Sequence, residues 1–208
     1  MPDTAEGAGC ARGIAALILA AGASTRLGQP KQLVWLDGES LLRRTARLAF
    51  AAGCAPVFVV LGFEADRMRP ELNGLRATAV VNQKWAEGMG SSLRCGMDAI
   101  ARIEPAVEAV LLLVCDQPRL TAQHLQSLLD CHRAGKSLIT ASFYADRAGV
   151  PAVFAATLFP ELLGCSGDRG ARDLIRGHSD QVQRVCWPAG ELDVDRPQDL
   201  EELRQKQK

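Results

Sequence analysis

An α/β domain built on a mostly parallel sheet is the fold class this sequence predicts, on three observations. Apolar runs of strand length alternate along the chain with segments of helical periodicity, the order expected of β-α-β units. The central runs are apolar throughout instead of alternating with polar residues, as in strands covered on both faces. And 208 residues suffice for one sizeable core but fall short of two independent ones.

Taken in order, residues 1–13, rich in Gly, Ala and acidic side chains, read as a flexible leader. Arg12 ahead of an apolar run ending in Ala-Gly-Ala imitates a signal peptide. The positive charge is slight, however, and cleavage there would destroy the first strand and its loop, so that reading is rejected. No run is long enough to span a bilayer. Ala15 to Ala20 is the first buried strand, and Ser40 caps a helix over Leu41 to Ala52 that Gly53 closes. Val57 to Leu61 is the second strand, Glu64 to Leu72 a short helix interrupted by Pro70, and Thr78 to Val81 the third strand. Ser91 or Ser92 caps a helix over Leu93 to Ile103. Ala109 to Cys115 is the most apolar strand, followed by a helix over Ala122 to Arg133 with Thr121 as its cap and Gly135 as its stop. Ser137 to Phe143 is a further strand and Tyr144 to Gly149 a polar turn. Val150 to Phe154 then returns antiparallel, placed near an edge by Pro151. Gly167-Asp168-Arg169-Gly170-Ala171-Arg172 opens a helix through Ile175, its arginines set either to receive an anionic acceptor or to pair with Asp168 and Asp173. Val182 to Trp187 is the last strand, and Pro197 stands in the first turn of a terminal helix.

The loop after the first strand carries the densest chemistry. Gly22 and Gly28 let the backbone turn sharply and approach a ligand, so that N–H groups can face phosphate oxygens while Arg26 and Lys31 add full charges. Five residues separate the two glycines, and Gln29 and Pro30 intervene before Lys31. This is therefore no Walker A loop, and no dinucleotide G-x-G-x-x-G is present. Pro30 disfavours helix at Gln29 and is expected to hold Lys31 on an extended arm instead of a first helical turn. By itself the loop reads equally as an anion cradle or as an ordinary strand-to-helix turn.

Two further stretches join it. In Asn82 to Arg94, Gly88 and Gly90 allow close passage past a flat ligand, and the serines offer hydroxyls to a base or ribose. A plain capped crossover helix fits the same spacing. The fourth strand ends abruptly in Asp116-Gln117-Pro118, which sets a carboxylate in the crevice where open α/β sheets bind ligands and where burial calls for a cation. Asp116 is accordingly read as a metal ligand, Thr121 being the better cap for the helix that follows. Asp195, by spacing alone, caps the terminal helix.

Composition narrows the partners. The net charge is zero, so no basic surface points to nucleic acid and no charge run to a tail, and the expected partner is small. Seven scattered cysteines, odd in number and without a C-x-x-C pair, fit neither a disulfide framework nor a zinc site and read as small apolar fillers in a reducing cytoplasm. His124, His132 and His178 show no ligand spacing and read as helix-surface or capping residues.

In order, Leu-Ala-Ala-Gly-x-Ser-x-Arg-Leu-Gly-x-Pro-Lys, Trp-Ala-Glu-Gly-Met-Gly-Ser-Ser-Leu-Arg, Cys-Asp-Gln-Pro, Gly-Val-Pro-Ala-Val-Phe, Gly-Asp-Arg-Gly-Ala-Arg and Asp-Val-Asp-Arg-Pro-x-Asp-Leu resemble the MobA-like nucleotidyltransferases, most of all the molybdenum cofactor cytidylyltransferases. The resemblance spans nearly the whole chain beyond the leader. It implies a single Rossmann-like nucleotidyltransferase domain over 14–208, with helices on both faces of the sheet and a small C-terminal acceptor-side lobe. The nucleotide-binding part would cover about 14–140, the acceptor-side part about 141–190 and the terminal metal-site segment 191–208. By matching position, Ala20, Ala21, Gly22, Ser24, Arg26 and Lys31 would hold the triphosphate, and Gly90, Ser91, Ser92 and Arg94 the base or ribose side. Asp116 and Asp195 would hold Mg²⁺, with Lys31, Arg26 and Asp116 carrying the chemistry. The implied substrates are CTP and the molybdenum cofactor, with a client molybdoenzyme or its maturation chaperone receiving the product. Guanylyl-transferring relatives carry Leu-Ala-Gly-Gly where this chain has Leu19-Ala20-Ala21-Gly22, so the Ala21 methyl would narrow the base pocket toward a pyrimidine. The chain departs from the family pattern at Arg196 and Gln198, where Thr and Glu are usual, and at Ala145 to Ala148, which replaces a glycine-rich lead-in.

Overall fold

The computed structural model describes residues 13–104, 106–167, 170–199 and 201. Nearly all of the expected leader, Asp168, Arg169 and most of the expected terminal helix lie outside the described residues. A seven-stranded sheet forms the centre, from β1 (Ile14–Ala20), β4 (Val57–Leu61), β5 (Ala77–Val81), β6 (Ala109–Val114), β7 (Ile139–Tyr144), β8 (Arg147–Ala155) and β9 (Val182–Cys186), in the order β5-β4-β1-β6-β8-β7-β9. A small hairpin of β2 (Trp35–Leu36) and β3 (Glu39–Ser40) stands apart from it. Within the sheet β8 runs against both neighbours and every other pairing is parallel.

Helices cover both faces, and β1 shows why its apolar run had to be continuous. Ala16 and Ile18 pack into one core with α1 (Leu41–Ala51) and α4 (Ala122–Ala134). Ala15 and Leu17 pack into the other with α3 (Met89–Ile103), α5 (Phe159–Leu163) and α6 (Ala171–Gly177). The short α2 (Ala65–Met68) follows β4 and continues into a 3-10 turn over Arg69–Leu72, which contains Pro70. From β1 the chain passes through α1 to β4 on one side, whereas β6 arrives on the other. The strand order therefore reverses between β1 and β6, which opens a crevice at their C-terminal ends. Residues 141–190 supply most of β7, β8 and β9 with α5 and α6, continuous with the same sheet. Among the described residues, no helix is long and apolar enough to cross a membrane.

Four local expectations are corrected. The α3 helix starts at Met89, not after Ser91 or Ser92, because Gly88 takes the N-cap position with φ of 103°, a conformation that favours glycine. The serine hydroxyls are already engaged there, each accepting from Asn82 Nδ2, at 2.9 and 3.0 Å. Pro151 lies in an interior strand, since β8 runs between β6 and β7. Its missing N–H costs no ladder bond, because pairing with β6 stops at Ala152 and a bulge in the β7 pairing skips from Ala152 to Gly149. Lys31 opens a 3-10 turn, Lys31–Leu33, with extended Pro30 at its N-cap, because proline restricts the residue before it and leaves the one after free to turn. His124 is no surface residue. It is 8% exposed, its Nε2 lies 2.8 Å from Ser142 Oγ, and its ring stacks on Trp187 at 4.7 Å.

No disulfide joins the described cysteines, and burial pushes the Cys54 and Cys115 thiols up to about 12, which leaves them inert.

Candidate active site

The crevice between β1 and β6 is built from three segments far apart in sequence. After β1 the loop turns away, and a buried glutamine fixes its shape. Gln32, 1% exposed, donates from Nε2 to the Ala20 carbonyl (2.9 Å) and the Gly22 carbonyl (2.8 Å), while the Phe63 N–H donates to the Ala21 carbonyl (3.0 Å). A trans peptide turns its N–H opposite to its carbonyl, so the unit after Gly22 aims the Ala23 N–H away from Gln32. Ser24, at φ 52°, accepts from the Lys31 N–H through its hydroxyl (3.1 Å) and so closes the loop on itself. Close approach of the next turn matters as well: a Cβ on Gly62 would lie 2.7 Å from the Ala21 carbonyl oxygen and 2.6 Å from Trp85 Cβ.

The second segment is the end of β6, which delivers Asp116. The third is the stretch before the terminal helix. The Val194 N–H donates to the Asp116 carbonyl (2.8 Å), and Val194 is fully buried beside Leu27, Val34, Leu36 and Leu41. With Val194 turned into that cluster, the period of an extended chain sets Asp193 and Asp195 on the other side. Among the described residues, the Asp195 side chain accepts no N–H of the helix after it. The Asp199 carboxylate accepts the Asp195 and Arg196 N–H groups instead (2.9 and 2.7 Å), and the Asp195 carboxylate is left to face the crevice.

There the three segments meet on one ammonium. Lys31 Nζ lies 2.5 Å from Asp116 Oδ2 and 3.1 Å from Asp195 Oδ1, and Arg26 reaches Asp195 Oδ2 at 3.9 Å from an exposed position. Burial alone would lower the Lys31 pKa, but the charges and hydrogen bonds of Asp116 and Asp195 outweigh it and hold it above its ordinary value. Asp193 joins the group from the side. Burial first, then the charges of Asp116 and Asp195, push its carboxyl up to about 6. The two carboxylates that converge on Nζ are hard oxygen donors, a set that suits a hard divalent cation able to keep waters or phosphate oxygens in its remaining positions.

Two cavities adjoin this cluster and share Asp116. One, of about 370 Å³, is lined by Ala21, Gly22, Lys31, Trp85, Ser92 and Asp116. The other, of about 390 Å³, is lined by Asp116, Gln117, Arg147, Arg172, Arg176 and Asp193. A smaller cleft of about 180 Å³ runs between Ser24, Arg26, Lys31 and Asp195. Space for two ligands, one of them against a basic wall, with Asp116 between them, suits group transfer between two substrates.

The sequence profile of the MobA-like NTP transferase domain matches residues 16–183. The chain belongs to this family. A nicotine blue oxidoreductase of Paenarthrobacter nicotinovorans is 36% identical over 172 residues, 78% of this chain and 81% of that protein. A probable molybdenum cofactor guanylyltransferase of Synechococcus elongatus is 38% identical over 116 residues, 54% of this chain and 55% of that protein. Among solved structures, Rv0371c from Mycobacterium tuberculosis H37Rv superposes with a TM-score of 0.80 at 31% identity, over 94% of this chain and 99% of that one. The complex of the same protein with manganese gives 0.73 at 30% identity, over 93% and 98%.

In this MobA-like nucleotidyltransferase the sequence-predicted residues divide into groups. Ala21, Gly22, Ser24, Arg26, Lys31, Ser92, Asp116 and Asp195 line the crevice and its cavities. Ala20 closes β1 and is buried behind them. Gly90 gives its N–H to the Gly167 carbonyl (2.8 Å), and Ser91 gives its hydroxyl to the Lys84 carbonyl (2.8 Å), so both tie α3 to neighbouring loops. Arg94 stands 4.0 Å from Glu87, away from the lining of either cavity. Sequence reasoning passed over Gln32, Gln117 and Asp193. For Asp193 a signal was present, since Asp-Val-Asp puts two carboxylates on one side of an extended segment.

Proposed function

We propose that this chain transfers CMP from CTP to the terminal phosphate of the molybdenum cofactor, releasing pyrophosphate. The observation that carries the reading is the junction of two cavities at Asp116, with Lys31 held between Asp116 and Asp195. Membership of the MobA-like family and the guanylyltransferase relative support the acceptor. The Ala21 methyl on the wall of the nucleotide-side cavity supports a pyrimidine over a purine.

In this reading the attacking oxygen belongs to a phosphate monoester whose second pKa is about 6, so it is largely anionic at neutral pH and no side chain has to remove a proton. A bond forms between that oxygen and the α-phosphorus of CTP. The bond from the α-phosphorus to the α,β-bridging oxygen breaks, and that oxygen leaves with pyrophosphate. Lys31 and Arg26 offset charge that builds on the transferring phosphoryl group and on the leaving group. The basic wall of Arg147, Arg172 and Arg176 holds the acceptor in line, so that the two reacting atoms meet at Asp116. Asp116 and Asp195 would hold Mg²⁺, which when bound supplies Lewis-acid stabilisation of the α-phosphate. The manganese complex of the mycobacterial neighbour supports a divalent ion at this fold.

The test is Mg²⁺-dependent pyrophosphate release with molybdenum cofactor as acceptor, comparing CTP, GTP, ATP and UTP. Turnover confined largely to CTP is expected. Turnover with GTP would overturn the Ala21 argument and leave the transfer chemistry standing, whereas silence with all four would overturn the acceptor.

A further inference from the structure

The Asp-Val-Asp segment before the terminal helix sends its two carboxylates to different places. Val194 is fully buried, and an extended chain sets the side chains on either side of it toward the crevice. There Asp195 lines the small cleft of Ser24, Arg26 and Lys31, whereas Asp193 lines the cavity that carries the arginine wall. The two do not join Asp116 in one centre, since among the described residues no three ligating side chains stand close enough to share an ion. Asp193 is only partly buried, and its carboxyl feels the charges of Asp116 and Arg147, both of which line the same cavity. A ligand seated in that cavity therefore has access to it.

Asp193 also differs from the other carboxylates of that wall. Asp116 takes the Lys31 ammonium, and Asp173 accepts the Gly170 N–H at 3.3 Å and lies 3.9 Å from Arg176. Asp193 has no hydrogen bond or ion pair among the described residues. A partly desolvated carboxylate without a donor is costly, and a phosphate cannot relieve it, because both groups are anions that only accept. The phosphate of a ligand belongs instead with Arg147, Arg172 and Arg176, while Leu19, Leu112 and Val114 offer apolar surface to a ring. The wall thus suits a flat heterocycle with an anionic end and N–H donors on its edge. Resting on the acceptor reading above, we propose that the Asp193 carboxylate accepts the adjacent ring and exocyclic N–H groups of the acceptor's pterin. Two parallel bonds to the two carboxylate oxygens fix the plane of the ring as well as its place, and so aim the phosphate at Asp116. An analogue without those donors is rejected, because the carboxylate is then left unpaired.

The test uses two fluorescent probes that share the anion and the bicyclic ring. Pterin-6-carboxylate keeps the adjacent N–H groups of its pyrimidine edge, and 1,3-dimethyllumazine-6-carboxylate has none there. Wild type is expected to bind the first about 10–100-fold more tightly. Asp193→Ala is expected to bind the two alike. Both probes carry the same charge, so an effect of Asp193 on the arginines alone would change both affinities by one factor and keep their ratio. A preference that survives in Asp193→Ala therefore overturns the proposal, and so does a wild type with no preference. Urea midpoints close to wild type are expected for the variant, since the side chain holds no partner that it would release. The pyrophosphate assay separates this proposal from the reading beneath it. Turnover with the molybdenum cofactor but no probe preference removes only the role of Asp193, whereas no turnover and no probe binding removes the acceptor reading with it.

Discussion

If Asp116 and Asp195 hold the divalent ion, as proposed above, Lys31 occupies its place, and this has consequences for how the site fills. Its ammonium satisfies both Asp116 and Asp195, so a metal ion arriving alone must displace an ion pair already in place. A nucleotide changes the balance, since its phosphates give Lys31 another partner and give the ion further oxygen ligands. Mn²⁺ titrated into the protein is therefore expected to bind about tenfold more tightly when CTP is present. The variant Lys31→Met should bind Mn²⁺ better than wild type in the absence of nucleotide and yet turn over far less. Equal Mn²⁺ affinity in wild type and variant would refute the competition. Asp116→Asn keeps size and hydrogen-bonding capacity but loses the charge. It should lower turnover by roughly 10²–10³-fold, the scale of removing one stabilising group from such a site, while the urea midpoint moves little. A large midpoint shift with turnover retained would make Asp116 a structural residue.

At the scale of elements, the turn after β4 is pressed against Ala21 and Trp85, which line the cavity proposed to take the nucleotide. Gly62→Ala would drive a methyl into the Ala21 carbonyl and the Trp85 backbone-proximal carbon, neither of which can swing aside. The expected result is a stability loss of about 1–3 kcal/mol together with a raised KM for the nucleotide. Thr121→Ala provides the contrast. Thr121 caps α4 by accepting from the His124 N–H at 3.2 Å, so its loss should cost about 1 kcal/mol with KM unchanged. Denaturant melts and nucleotide kinetics on the two variants distinguish a site-linked turn from a remote cap. The elements themselves were largely legible because burial on both faces leaves an apolar signature, as β1, β4 and β6 show. What escaped was set by contacts from elsewhere. The hairpin at Ala145 and Asp146 turns with φ of 46° and 54°, yet alanine is no turn signal, so β8 begins at Arg147, earlier than its apolar run suggests. The start of α3 was obscured because Asn82, a residue of the preceding strand's end, engages the serines that would otherwise have capped it.

Across the whole molecule, Lys31 and Asp116 carried recognisable chemistry in the sequence, and the fold brings them to Asp195 from the other end of the chain. The supporting residues were not legible. Nothing in the spacing of Gln32 or Gln117 betrays a buried amide, and burial is decided by what packs over a residue. His124 is the clearest case, with a global consequence. Burial pushes its imidazole down to about 4 from an ordinary 6.5. As pH falls through about 6.5 the unfolded chain takes up a proton that the native state refuses until about 4, so native stability declines across that window. At about 1.4 kcal/mol per pH unit the loss reaches at most about 3 kcal/mol. Asp193 works in the opposite sense. Its native carboxyl, pushed up to about 6, stays protonated where the unfolded one ionises, so its contribution is lost as pH rises from about 4 to 6. The raw stability curve sums both effects, and a difference between two proteins isolates the histidine. In His124→Phe the ring can still lie against Trp187, and Ser142 keeps its bond to the Pro151 carbonyl at 2.7 Å. Urea unfolding of wild type and this variant from pH 7 to 4.5 is expected to show the variant gaining about 2–3 kcal/mol relative to wild type. A difference that stays flat over that range would mean that His124 titrates alike in the folded and unfolded chain, and the buried imidazole would not be a source of acid lability.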